Sequence, residues 1–401
     1  MTPFTPATFR QQFPALQHPT VYLDSAATAL KPQVVIDAVQ RFYRSESGTV
    51  HRSQHRGAQA LTQRFEGTRE QVAALLHAKD PRAIVWTKGT TEAINLVAQS
   101  YARPRLQPGD EIIVSEAEHH ANLIPWLMVA QQTGANIVKW PIGADFLPDI
   151  AQLATLITPQ TRLLALGQMS NVTGAMPELA SAIALAHANG AVVMVDGAQG
   201  IVHCPPDVEA LDIDFYAFSG HKLYAPTGIG VLYGKTTLLE SMAPWQGGGK
   251  MMTQVSFDGF FPQAIPQRFE AGTPHIAGVL GLSAALEWLA QLDWRAAERH
   301  SQQLAQLAET QLAQFPGFRS FRSPGSSVLS FDFAGVHHSD LVTLLAEKHI
   351  ALRAGHHCAQ PLMAALGVSG TLRASFSPYN NEQDVAALIS ALGYSLELLI
   401  D

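Results

Sequence analysis

The chain has 401 residues, 47% of them hydrophobic and 15% charged, a mixture that can bury one large core and a smaller second domain. A formal net charge of −7 offers no basic footprint for nucleic acid, and two cysteines, Cys204 and Cys358, are too few for a disulfide scaffold and suit a reducing cytoplasm. The opening Met-Thr-Pro-Phe-Thr-Pro lacks a basic segment followed by an apolar stretch, and no run of 18 apolar residues occurs, so neither secretion nor a membrane span is expected.

Residues 1–20 read as a short helix and a proline-punctuated lead-in. Val21-Tyr22-Leu23 follows as a short strand entering Asp24-Ser25-Ala26-Ala27-Thr28, whose small residues let backbone approach a ligand closely. A helix is predicted over 34–43, then a loop over 48–52 that holds His51. Residues 83–86 form a strand, and Thr87-Lys88-Gly89-Thr90-Thr91-Glu92 turns out of it into a helix over 93–101. A Gly-Thr-Thr turn opening a helix presents backbone N–H groups, hydroxyls and the positive end of the dipole, which suits a phosphate; Thr90 as a plain N-cap needs no ligand. A strand over 111–115 leads to Glu118-His119-His120-Ala121-Asn122 and a helix over 123–132. A strand over 161–166 leads to 168–174, where Asn171 reads as turn chemistry.

The next two strands carry the strongest chemistry. Ala-Val-Val-Met-Val, 191–195, is a central parallel strand ending in Asp196-Gly197-Ala198-Gln199. The apolar, aromatic run 215–218 is a second, broken by Ser219-Gly220 before His221-Lys222. Ligands in open α/β sheets sit outside the carboxyl ends of the strands, so Asp196 and Lys222 face one pocket. They are the pair that pyridoxal phosphate (PLP) needs: an amine made nucleophilic by desolvation and a carboxylate that keeps the pyridine nitrogen protonated. Each has a plainer reading, Lys222 as a solvated residue past a strand end and Asp196 as a turn or N-cap.

Residues 228–234 close the large sheet, their glycines marking a closely approached strand. Loops follow over 246–250 and 269–274, and helices over 277–292 and 296–314 carry apolar stripes that serve core or dimer contact equally. From about residue 325 a small α+β domain is expected: strand 327–333, helix 339–348, strands 350–353 and 372–376, and helix 382–398. Cys358 lies there in a loop, His-His-Cys-Ala-Gln-Pro, where neighbouring His or Arg can favour the nucleophilic thiolate; an inert thiol or a metal ligand are the other readings. His356, His357 and Cys358 are too close together for a zinc signature, so no metal is expected. Arg373 falls mid-strand, where a bidentate carboxylate, from an amino-acid substrate or an internal Asp or Glu, would satisfy its guanidinium.

Leu23-Asp24-Ser25-Ala26-Ala27-Thr28, Asp196-Gly197-Ala198-Gln199, Ser219-Gly220-His221-Lys222 and Arg353-Ala354-Gly355-His356-His357-Cys358 occur in this order, and together they resemble the PLP-dependent cysteine desulfurases. These belong to the class-V aminotransferase family, and the motifs are most like its second, CsdA/SufS-type subgroup, in particular the CsdA-type cysteine sulfinate desulfinases. The resemblance runs from about Phe13 to the C-terminus. It implies an α/β chain of PLP fold type I. A large PLP-binding domain with a mostly parallel seven-stranded sheet would span 21–295, and a linking helix and small α+β domain carrying the cysteine loop would span 296–401. Residues 1–20 would pack with the small domain.

The resemblance also implies roles. Lys222 forms the Schiff base and moves the substrate α-proton, Asp196 holds the pyridine nitrogen, and His119 stacks on the ring. Gln199 bonds the ring 3-oxygen, and Asn171 lies beside that oxygen and the substrate. Thr90, Ser219 and His221 surround the phosphate, and Thr273 reaches the phosphate of a partner subunit in a homodimer. Arg373 takes the substrate carboxylate, with Arg353 and His51 shaping the substrate site. Cys358 attacks the sulfur of L-cysteine, leaving a persulfide and alanine, whereas cysteine sulfinate or selenocysteine can lose its group without that attack. The short loop around Cys358 implies a sulfur-acceptor protein of the SufE/CsdE type. The rivals are another PLP enzyme of the same fold type and a PLP-holding scaffold without turnover.

Overall fold

The computed structural model describes residues 2–400. Its short first strand, β1 (Val21–Tyr22), is followed by the seven strands of one large sheet: β2 (Ile84–Thr87), β3 (Glu111–Ser115), β4 (Asn136–Trp140), β5 (Thr161–Gly167), β6 (Val192–Asp196), β7 (Phe215–Ser219) and β8 (Gly230–Gly234). They lie in the order β2-β8-β7-β6-β5-β3-β4, and β8 alone runs against its neighbours. The sheet is thus mostly parallel, as the long apolar runs predict, and its one reversed strand was not legible in them.

Pleating sorts each strand between two cores. Val193, Val195, Tyr216 and Phe218 point to one face, beneath the helices Arg56–Leu75, Leu179–Ala188 and Ile276–Ala290. Met194, Phe215 and Ala217 point to the other, beneath Thr90–Leu96 and Ile124–Thr133. Because both faces are covered, the carboxyl edge of the parallel strands is the place where polar side chains can gather without disturbing either core.

A hairpin of β9 (Met252–Ser256) and β10 (Gly259–Pro262) projects from the large domain with Val255, Phe257, Phe260 and Phe261 exposed. The small domain is built on β11 (Phe318–Ser320), β12 (Val328–Phe333), β14 (Arg353–Gly355) and β15 (Thr371–Ser375), in the antiparallel order β11-β12-β15-β14. Between β12 and β14, the two-residue β13 (Ile350–Ala351) pairs in parallel with β1, and Asp24 bridges to Ser375. Residues 21–24 therefore hydrogen-bond to the small domain before the chain enters the large one. The lead-in supplies Phe9 and Phe13 to an aromatic cluster with Tyr224, Trp288 and Tyr379, and Arg10 donates to the Tyr379 carbonyl (2.8 Å) and Asp384 (3.0 Å). The N-terminal segment thus fastens both domains together.

The last helix, Glu382–Ile400, is long and apolar enough to cross a membrane by length and composition. Its residues Val385, Leu388, Leu392 and Leu396 instead fill the small-domain core against Leu329, Phe331 and Leu372.

Candidate active site

A cavity of about 240 Å³ opens at the carboxyl edge of the large sheet. Ten residues singled out from the sequence line it: Thr90, His119, Asn171, Asp196, Gln199, Ser219, His221, Lys222, Arg353 and Arg373. Each of the first eight ends or follows a strand that is mostly buried on both faces, so the core fixes where the side chain starts. Lys222 sits in a single 3₁₀ turn, Gly220–Lys222, that leaves β7. Its exposed surface faces the cavity, and desolvation lowers its ammonium pKa to about 8 despite the opposing pull of Asp196. Asp196 ends β6, is buried, and accepts from the Ala198 N–H at 2.9 Å. Burial pushes its carboxyl upward, while that N–H and the Lys222 charge pull it back.

Opposite this pair, the Thr90 N–H donates to Ser219 Oγ at 2.8 Å, and the two hydroxyls are also 2.8 Å apart. The backbone is drawn in tightly: a Cβ on Gly230 would lie 2.4 Å from Gly89 Cα. Only glycine lets β8 pass beneath this loop, which is the close approach its sequence suggested. His221 pairs through Nδ1 with Thr28 Oγ1 at 3.1 Å. Burial, then the Lys222 charge, holds both His221 and His119 down to about 4, so both rings are neutral at physiological pH.

The far wall belongs to the small domain. Arg373 is 1% exposed and donates to the Asn171 carbonyl at 3.0 Å and to Asp24 at 3.3 Å, while its Nε is buried without a partner. An internal carboxylate is therefore present but meets only one of the guanidinium's edges. Burial raises the Asp24 pKa more than Arg373 lowers it, which marks the pair as a poor one. Arg353 lies directly across from Arg373 in the β14–β15 register, and two cations in that position repel. Burial and this neighbour lower Arg373 to about 10, still charged at neutral pH. A cavity that places two guanidiniums side by side and leaves one donor orphaned is shaped for an anion such as a carboxylate.

Cys358 is not itself among the lining residues but adjoins one, with Arg353 Nη2 3.8 Å from its Sγ. Both cysteines are free thiols, and Cys204 is exposed elsewhere on the surface. His51 and Thr273 do not line this chain's own cavity: His51 pairs with Glu66 at 2.8 Å over a separate surface depression, and Thr273, expected at the phosphate of a partner subunit, is exposed. The 269–274 loop meets β2 near its carboxyl end, where Glu270 accepts from the Trp86 N–H at 2.9 Å and from Arg69 at 2.6 Å.

One titratable lining residue had no role in the sequence reading. Glu118 is buried and accepts from the Gly167 N–H (2.7 Å) and Asn122 Nδ2 (2.8 Å), and burial, with the Asp196 charge as a smaller contribution, raises its pKa to about 8. Its only sequence signal was an acidic residue immediately before His119 at a strand end.

The fold and site have known counterparts. The profile of the family described as aminotransferase class-V matches residues 21–388. Cysteine desulfurase CsdA of Escherichia coli is 69% identical over 401 residues, covering all of both chains. The crystal structure of that enzyme in its S-sulfonic acid form superposes with a TM-score of 0.95 at 69% identity, over 99% of each chain. A more distant structure, a lysine-to-alanine mutant of C-DES with glycine covalently linked to the PLP cofactor, gives a TM-score of 0.82 at 26% identity, over 96% of this chain and 98% of that one. With the profile spanning most of the sequence and so near a relative along all of it, the protein belongs to the class-V aminotransferase family.

Proposed function

We propose that the protein is a PLP-dependent cysteine desulfurase: it converts L-cysteine to L-alanine and retains the sulfur as a persulfide on Cys358, for transfer to a sulfur-acceptor protein. L-cysteine sulfinate and L-selenocysteine are the analogous substrates. The observation that carries this reading is the meeting, in one cavity, of Lys222 and Asp196 on one wall with an arginine pair on the other, one of whose members touches Cys358. The 69% identity to a cysteine desulfurase along the whole chain supports it.

The donor set fits the cofactor. When bound, PLP supplies an electrophilic aldehyde and a ring that accepts electrons. Lys222, already desolvated, would hold the aldehyde, and Asp196 the ring nitrogen. The Thr90–Ser219–His221 cradle would take the phosphate, and His119, being neutral, can lie against a protonated ring without repulsion. Gln199 and Asn171 line the same space and would face the ring oxygen. Arg373 and Arg353 would orient the substrate carboxylate, and Lys222, once freed, would take the proton from the substrate α-carbon.

The sulfur step balances without an external oxidant. The Cys358 thiolate attacks the substrate sulfur; an S–S bond forms and the C–S bond breaks, leaving its electron pair on the substrate β-carbon. Protonation there completes alanine, so the β-carbon is reduced by the two electrons that the thiol pair loses in becoming a persulfide. A second copy of the chain is part of the proposal: the exposed hairpin phenylalanines, with His51 and Thr273 in surface loops, suit a homodimer in which these loops serve the partner's cavity. Two free cysteines suit work in the cytoplasm.

The test is direct. Purified protein given PLP gains visible absorbance, releases alanine from cysteine and accumulates persulfide on the Cys358 peptide, and Lys222→Ala abolishes alanine release from every substrate. No alanine from cysteine, its sulfinate or selenocysteine would overturn the reading.

A further inference from the structure

The loop that carries Cys358 holds an uncommon conformation. His357 and Cys358 are consecutive residues with side chains, and both have positive φ, 53° and 55°. Such a pair persists only where the surroundings over-determine it. The Asn171 amide donates to the His357 carbonyl (2.8 Å), and the His357 ring meets Thr371 Oγ1 (2.9 Å). The other two ties come from one residue. The His120 N–H donates to the Cys358 carbonyl at 2.6 Å, and the Gln360 N–H donates to His120 Nε2 at 3.0 Å. His120 therefore grips the loop at Cys358 itself and two residues after it, while Asn171 holds the residue before. The helix Gln360–Leu366 needs no such grip for its own packing, because Ala359, Leu362 and Met363 are buried against Val172. His120 also follows His119, whose ring lines the cavity, so one turn fixes both the cavity wall and the loop opposite.

We infer that His120 is a positioning residue for the sulfur step: its imidazole holds the Cys358 loop so that the thiol is presented to a substrate bound in the cavity. The inference rests on the desulfurase reading. It separates two reactions of the same site, since removal of sulfur from cysteine needs the thiol delivered, whereas a sulfinate group departs without a nucleophile.

His120→Phe keeps a ring and removes the acceptor; His120→Gln restores an acceptor near the position of Nε2. With PLP bound, His120→Phe is expected to lower kcat for alanine release from cysteine, and the rate of persulfide formation, about five- to tenfold, the worth of one hydrogen bond. KM and turnover of cysteine sulfinate stay within about twofold, and His120→Gln recovers most of the loss. Iodoacetamide alkylation, followed on the Cys358 peptide, accelerates in His120→Phe, a readout that requires no turnover. Gln360→Pro removes the donor from the other side, at a first helical position where proline is tolerated, and gives the same split between substrates. A folded His120→Phe or Gln360→Pro protein with wild-type cysteine turnover and wild-type alkylation overturns the inference, as does equal loss with cysteine and sulfinate. Failure of the wild-type protein to make alanine would instead strike the desulfurase reading, and the alkylation arm would still decide whether His120 holds the loop.

Discussion

The two walls of the cavity are built differently. On the large-sheet wall, Asp196, Ser219 and Lys222 lie at or within three residues of the ends of strands whose side chains are buried on both faces, and Thr90 and Ser219 satisfy each other's hydroxyls. On the small-domain wall, Arg373 keeps an orphaned Nε, Arg353 sits across from it, and Cys358 rides a loop of left-handed residues held by hydrogen bonds from other elements. The first wall is complete before any ligand arrives. The second is left partly unsatisfied, and a substrate carboxylate is what would use it. The contrast predicts that damage to the first wall removes all chemistry, while damage to the second is selective.

Cys358→Ser should break the comparison most visibly if it is wrong. Alanine release from cysteine is expected to fall by at least about a hundredfold, since a hydroxyl is a far weaker nucleophile than a thiolate, while release from cysteine sulfinate stays within about threefold. Parallel kinetics with the two substrates measure this. Equal retention of both activities would remove Cys358 from the sulfur step.

Arg373→Lys sharpens it at a smaller scale. The charge survives but the planar fork does not, so the substrate carboxylate loses a bidentate contact worth about 1.5–3 kcal/mol. KM for cysteine should rise by about one to two orders of magnitude, with kcat changed far less, and sulfinate should show the same rise because both substrates carry the α-carboxylate. An unchanged KM would mean that Asp24, not the substrate, is the partner the arginine is there for.

Much of this was legible because the chemistry sits where periodicity is strongest. The runs 191–195 and 215–218 are fully apolar, so the polar residues that end them stand out. Other elements gave weaker signals. The helix Arg56–Leu75 is polar over most of its surface and contains Gly57 and Gly67, and β4 is an edge strand with Asn136 and Lys139 outward, so neither announced itself. The β9–β10 hairpin exposes its aromatic residues, and no rule of burial anticipates a strand pair with nothing covering it. At the site, the Arg353–Arg373 juxtaposition depends on strand register, and the Asp24–Arg373 contact joins residues 349 positions apart. Those are tertiary facts that local pattern cannot carry.

The smallest expected effect is on stability, and it tests whether the first wall is held at a cost. In the cofactor-free protein, burial lowers the Lys222 pKa from 10.5 to about 8. Below about pH 8 the amine is charged in both folded and unfolded chains and the folded state bears the desolvation; above about pH 10.5 it is neutral in both and the penalty is gone. Lys222→Met should therefore stabilise the cofactor-free protein at pH 7 by on the order of 1–3 kcal/mol, a gain that shrinks as pH rises from 8 toward 10.5. His119 and His221, held near 4 by burial and then by the Lys222 charge, act in a separate window: they withdraw stability as pH falls from about 6.5 through 4, less steeply in Lys222→Met, where that charge is gone, so the gain at pH 5 is no smaller than at pH 7. Denaturant melts of the two proteins at pH 5, 7 and 9.5 measure it. A gain that is absent at pH 7, or that grows with pH, would mean that Lys222 is already solvated through the open cavity and that the first wall carries no strain for the cofactor to relieve.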